Sequence, residues 1–191
     1  KEFKALTSGT VAQLTLTNAQ VQYASGNDIY VKDATGGIDF YSTGITLTTG
    51  QTLNGSIIGK YTQYNGMPEL AKDGTNTNDS KITTKDGTVT PITATSISDI
   101  MADAYACCLV KIVGATIDNT TTAGTTYAKL NGSQIIVYDK WKLLTNATID
   151  TNATHTITGI IAPYGKSTDA IVYELYPTTI EGIVTNVNGI T

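Results

Sequence analysis

Residues 29–41 hold the pattern that most restricts the fold. Ile29 and Val31 alternate with Tyr30 and Lys32, Ile38 and Phe40 alternate with Asp39 and Tyr41, and Asp33-Ala34-Thr35-Gly36-Gly37 lies between the two runs. Period-2 alternation is the signature of a strand with one buried face, and a turn former followed by two glycines joins two such strands into a hairpin. The pattern predicts that Ile29, Val31, Ile38 and Phe40 face a core. It places Tyr30, Lys32, Asp39 and Tyr41 on the opposite, outer face.

The rest of the chain agrees with sheet and turn. About one residue in five of the 191 is Thr, with Val, Ile, Tyr and Gly also frequent, a composition suited to strands rather than helices. The alternation slips once between Leu16 and Ala19 in a long strand over residues 10–23, which predicts a bulge and a bend. A fourth strand is expected over 52–64, the Asn65-Gly66 pair turns it, and a fifth returns over 67–71. Residues 72–85 read as a polar, turn-rich connection and 88–95 as extended chain around Pro91. Residues 96–104 are the best helix, capped by Ser96, with Ile97, Ile100 and Met101 on one face.

The second half repeats the first. Leu14–Val21 lies over Val110–Ile117 at an offset of 96, Tyr30, Lys32 and Tyr41 lie over Tyr127, Lys129 and Tyr138 at 97, and Glu69-Leu70 lies over Glu174-Leu175 at 105. Offsets that only grow fit a duplicated unit with longer loops in its second copy. We therefore expect two domains, 1–95 and 96–191. Each is an OB-like five-stranded Greek-key barrel with short helical turns, in an all-β chain. A pair of immunoglobulin-like sandwiches needs about seven strands per unit, and five or six are counted.

Residues 30–41, with Gly50-Gln-Thr-Leu-Asn-Gly55 and Tyr64-Asn-Gly-Met-Pro-Glu-Leu70, resemble the OB-fold modules of secreted and lipid-anchored Bacteroidetes proteins. The resemblance covers most of residues 3–95. It is thinner beyond, where Leu130-Asn-Gly-Ser-Gln134 replaces the Asp33–Gly37 turn. It implies an extracytoplasmic place, periplasmic or at the cell surface, as a lipoprotein or secreted protein. Modules of this kind are often labelled nucleic-acid-binding on fold grounds, and fold alone does not carry function. A start at Lys1 without methionine accords with a removed signal peptide or a lipid-attachment cysteine upstream, and no apolar run is long enough to span a bilayer.

Charge narrows the partners. All twelve basic residues are Lys, arginine is absent, and the net charge is −4, so general attraction to phosphate backbones is not expected. Catalytic signatures are missing: there is no GxSxG, HExxH, Walker or zinc spacing. The single histidine, His155, reads as a surface or edge residue opening a strand. Cys107 and Cys108 read as small buried or half-buried thiols in a strand-like run. Asp39, Glu69, Asp139 and Glu174 read as structural or solvated carboxylates, and Asp73–Asp79 as a polar loop rather than a calcium site. No enzyme, cofactor or metal is expected.

What remains is the outer face of the hairpin in each copy. The candidate ligand-binding residues are Tyr30, Lys32 and Tyr41 in the first and Tyr127, Lys129 and Tyr138 in the second. Tyrosine stacks on sugar rings or bases, and lysine meets hydroxyls or phosphates. Trp141 is read as barrel packing. The expected function is a non-catalytic binding or scaffold module for a glycan or protein partner. Single-stranded nucleic-acid binding across the same face is the alternative.

Overall fold

The computed structural model describes residues 3–74, 80–119, 124–145, 147–166 and 170–185. The chain divides into two compact units. The first is Lys1–Thr90 with Asp103–Cys108 and Pro163–Ile171; the second is Pro91–Ala102, Leu109–Ala162 and Val172–Thr191.

In the first unit β1 (Val11–Ser25), β2 (Asp28–Asp33), β3 (Gly36–Tyr41), β4 (Thr52–Tyr64) and β5 (Met67–Ala71) run in the order β1-β2-β3-β5-β4. β1 also pairs with β4, which closes the barrel. All pairings in this closed ring are antiparallel except β3 with β5. Strand β1 can serve two neighbours because it bends. Its register on β4 shifts between Leu16 and Ala19, where the alternation slips, and Asn18 takes a left-handed φ of 48°. The core gathers Leu16, Ala19, Val21, Ile29, Val31, Ile38, Phe40, Leu47, Leu53, Ile57 and Leu70, so all four predicted inward residues of the hairpin are there. A sixth strand, β6 (Lys81–Lys85), borders β4. It was not foreseen because a short, mostly exposed Lys-Ile-Thr-Thr-Lys edge strand carries almost no burial pattern.

In the second unit β7 (Ile92–Ala94) precedes α1 (Ile97–Ile100). The barrel follows, from β8 (Leu109–Asp118), β9 (Thr126–Leu130), β10 (Ser133–Val137), β12 (His155–Tyr164) and β13 (Val172–Glu181). The ring β8-β9-β10-β13-β12 closes through β12 and β8, with β10 and β13 parallel. β11 (Ala147–Thr148) and β14 (Val184–Thr185) form a separate two-stranded antiparallel ladder. The structure thus contains two closed five-stranded barrels in tandem with the same strand order.

The helix is shorter than expected. Ser96 caps it by accepting from the Ser98 backbone N–H, and Ile97 and Ile100 are buried. It ends at Met101, and the 3-10 turn Asp103–Tyr105 takes the place of its predicted second half. Cys107 and Cys108 are not in a strand either. Cys107 has a left-handed φ of 62°, both thiols are free and fully buried, and β8 starts only at Leu109.

Candidate functional site

Register defines the outer face of the first hairpin. Tyr23, Tyr30, Asp39, Glu69 and Thr62 form one row across β1, β2, β3, β5 and β4. This row was expected to meet solvent, yet Tyr30 is 0% and Asp39 2% exposed, and Glu69 is buried as well. The reason is the segment Asp103–Cys108, which belongs to the first unit and lies on this face. A Cβ at Gly37 would run into the Ala106 carbonyl and would sit 2.8 Å from Cys107 Cβ. Cys107 Sγ contacts Met67 Sδ at 3.5 Å on β5. Tyr30 is therefore removed from the candidate surface.

The covered row has its own polar order. Asp39 Oδ1 accepts from the Ile29 N–H at 3.0 Å, and Thr62 Oγ1 donates to Glu69 Oε2 at 3.1 Å. Burial, followed by the nearby Asp39 charge, pushes the Cys107 thiol well above its ordinary pKa, and burial lifts Cys108 to about 11. Thiolate chemistry at neutral pH is thereby suppressed. Lys32 is half-buried with Nζ 3.4 Å from the Asp33 carbonyl, and Tyr41, at the open end of β3, is exposed.

The equivalent row in the second barrel is Asp118, Tyr127, Ile136 and Glu174. Tyr127 is half-buried, and Lys129 is held by Asp118 at 2.6 Å. Lys129 also borders a shallow depression of ≈ 360 Å³ along β9 and β10. Glu174 is buried, and burial raises its carboxyl pKa above the ordinary value.

One step further along this face lies an aromatic cluster. Tyr138 follows β10, and its N–H donates to the Leu175 carbonyl of β13 at 3.0 Å. Alternation along β13 points Leu175 inward and Tyr176 outward beside Tyr138. The two rings lie 5.3 Å apart at 53°, and Trp141 meets Tyr176 at 6.3 Å and 83°. Lys140 Nζ stands 5.3 Å from the centre of the Tyr176 ring, a cation–π arrangement. Tyr176 is the buried base, Trp141 is half-buried, and Tyr138 remains 54% exposed. Trp141 thus packs on the outer face and not in the barrel core, which corrects the expectation for it.

Asp139 shapes the loop that carries these rings. Its Oδ2 accepts from Leu144 N–H, Thr145 N–H and Thr145 Oγ1 at 3.0, 2.9 and 3.0 Å. Its Oδ1 is a buried oxygen that lacks a hydrogen-bond partner. Of the six candidates, only Tyr138 joins this cluster. Tyr176 and Lys140 were missed because the parallel β10–β13 pairing that brings them together is invisible in a linear reading.

His155 also departs from expectation. It opens β12 as predicted but is 2% exposed. Nδ1 lies 3.1 Å from the Glu181 carbonyl and Nε2 3.0 Å from the Asp150 carbonyl. These contacts tie the connection before β12 to the end of β13. Of the Asp73–Asp79 loop, positions 75–79 lie outside the described residues. Among the described residues no cluster of three His, Cys, Asp or Glu side chains could hold a metal ion, and no helix is long and apolar enough to cross a membrane. The wide groove in the first unit, ≈ 730 Å³ beside Phe3, Leu6, Leu14 and Thr35, includes none of the six candidates.

Comparisons with family models, curated proteins and solved structures find no match, so the resemblance to Bacteroidetes OB modules rests on its motifs alone.

Proposed function

We propose that the protein is a non-catalytic binding module, working outside the cytoplasm, that takes a glycan on the Tyr138–Trp141–Tyr176 face of its second barrel. The observation that carries this reading is the aromatic cluster itself. An exposed tyrosine braced on a buried one, with a half-buried tryptophan alongside, offers an apolar ring face beside polar loop atoms. That combination suits the C–H face and hydroxyl rim of a pyranose. Pre-packed rings also lose little side-chain freedom on binding. Extracytoplasmic placement is supported by the motif resemblance, and the role of a module rather than an enzyme by the absence of catalytic signatures in the sequence.

A glycan array probed with wild-type protein and with Tyr138→Ala tests this. Binding by the wild type that the substitution abolishes is the expected result; a wild type silent against every glycan refutes it. Stacked aromatics beside a lysine also favour the second reading, a single-stranded nucleic acid. Net charge −4 and absent arginine weigh against it. Fluorescence anisotropy with an oligonucleotide at low salt separates the two, because nucleic-acid binding must strengthen steeply as salt falls.

A further inference from the structure

We infer that the first barrel, independently of any glycan held by the second, takes an extended peptide as an added strand parallel to β1. The peptide pairs along the edge formed by Val11, Gln13 and Thr15. β1 is laddered to β4 over residues 11–20 but to β2 only from Gln20 onward. Its first half therefore has one paired edge and, among the described residues, one open edge. Which groups face that edge follows from β4. The Ile58 N–H donates to Ser80 Oγ at 2.9 Å, away from β1, so Gln13, opposite Ile58, holds a non-hydrogen-bonded position in the ladder. Its own N–H and C=O, and those of the alternate residues Val11 and Thr15, point off the other edge. All three residues are exposed, and a groove of ≈ 730 Å³ runs beside them, walled by Phe3, Leu6 and Thr35.

The second barrel shows what such an edge accepts. At the offset of 96 that aligns the repeats, Thr15 corresponds to Lys111, and the register shift falls before Ala19 in one strand and before Ala115 in the other. On this equivalent edge lies β7, parallel to β8, with Ile92 opposite Val110, Thr93 opposite Lys111 and Ala94 opposite Ile112. Val110 is fully buried, whereas its counterpart Leu14 is only half-buried. The first barrel thus has the edge, the groove and an incompletely covered leucine, while among its described residues no strand pairs there. Main-chain bonds supply affinity in such an addition, and the groove selects apolar side chains at alternate positions of the guest.

A synthetic peptide of residues 88–96, which contains the β7 sequence, titrated into the isotope-labelled full chain, tests this by NMR. We expect saturable binding with amide shifts centred on Val11, Gln13 and Thr15. No shifts at millimolar peptide, or shifts centred on Lys111 through exchange with β7 itself, overturn the inference. Two N-methylated peptides probe the pairing without altering the protein. Thr158, opposite Lys111, gives its carbonyl to Thr178 of β13, so Lys111 turns toward β7 and bonds the residues flanking Thr93. Methylation at the Ala94 nitrogen should therefore weaken binding roughly tenfold, the scale of one lost hydrogen bond, and methylation at the Thr93 nitrogen should not; equal affinities refute the assigned register. Gln13→Pro, tolerated where an N–H serves no ladder, should abolish binding with Tm little changed. Sedimentation of the chain alone checks the rival occupant: a dimer that Gln13→Pro dissociates would assign the edge to a second copy and overturn the peptide.

Discussion

Replacing Gly37 with alanine probes the closest approach between Asp103–Cys108 and the first barrel. Gly37 does not use a left-handed φ, so the backbone accepts alanine, and such a change ordinarily stabilises by about 0.4–1 kcal/mol through the unfolded chain. The new methyl, however, meets the Ala106 carbonyl and lies 2.8 Å from Cys107 Cβ. Both obstacles are backbone or its first side-chain atom, so neither can swing aside. Overpacking of this kind costs about 1–3 kcal/mol. With backbone on the far side of the contact, the upper part of that range applies, and the net loss is about 1–2.5 kcal/mol.

At roughly 2–4 °C per kcal/mol for a chain of this size, Gly37→Ala should lower Tm by about 2–10 °C. A second readout locates the damage. In a Cys108→Ser background, displacement of the segment should speed the reaction of Cys107 with a thiol reagent under native conditions, while wild-type Cys107 stays slow. An alanine variant as stable as the parent, with Cys107 still protected, would show that the segment does not depend on the missing side chain. The account of why Tyr30 and Asp39 are buried would then fail.

Phe40→Ala removes a fully buried ring from the middle of the first core and should cost about 3–5 kcal/mol in urea unfolding; a loss under 1 kcal/mol would contradict the assigned core. His155→Gln cannot span the Glu181 and Asp150 carbonyls as the buried ring does, one nitrogen against each, and should destabilise by about 1–3 kcal/mol, whereas an unchanged midpoint would remove His155 from the support of the second barrel. Asp33 titrates low. Burial alone would raise its pKa, but bonds from the Thr35 side chain, Thr35 N–H and Gly36 N–H outweigh that and hold it below the ordinary value of 3.8. A depressed carboxylate stabilises the fold fully above its unfolded pKa and loses that contribution as pH falls through the folded one. The stability gap between wild type and Asp33→Asn should accordingly stay constant from neutral pH to about 4 and close below it; a gap insensitive to acid would contradict the assignment.

Most of the barrel was readable because its rules are local. The slip between Leu16 and Ala19 announced the bulge, and β4 and β5 begin and end where alternation and Asn65-Gly66 place them. The Asn65 and Gly66 φ values of 48° and 88° are the double left-handed turn that such a pair encodes. The site was far less readable. The cover over Tyr30 comes from Asp103–Cys108, a stretch without periodicity, far along the chain. Alternation assigns a residue to a face, but it is silent about what lies on that face. His155 was misjudged for the same reason, since its two carbonyl partners come from the connection before β12 and from the end of β13.

The two barrels share a strand order but surround one equivalent position differently. Tyr41 and Tyr138 occupy the same outward position at the ends of β3 and β10, and both are exposed. Across the parallel pairing, Tyr41 faces Ala71, whereas the second barrel has Tyr176 at the corresponding place. An isolated tyrosine must be ordered when a ligand arrives, at about 0.5–1.5 kcal/mol for a side chain of this kind. A tyrosine already resting on another ring has met much of that cost during folding. The first barrel, moreover, gives the neighbouring row of this face to its own chain. Sugar recognition, as proposed, therefore falls to the second. The repeated tyrosine marks the same position in both barrels, and on the proposed reading its neighbour across the sheet decides whether that position can hold a sugar.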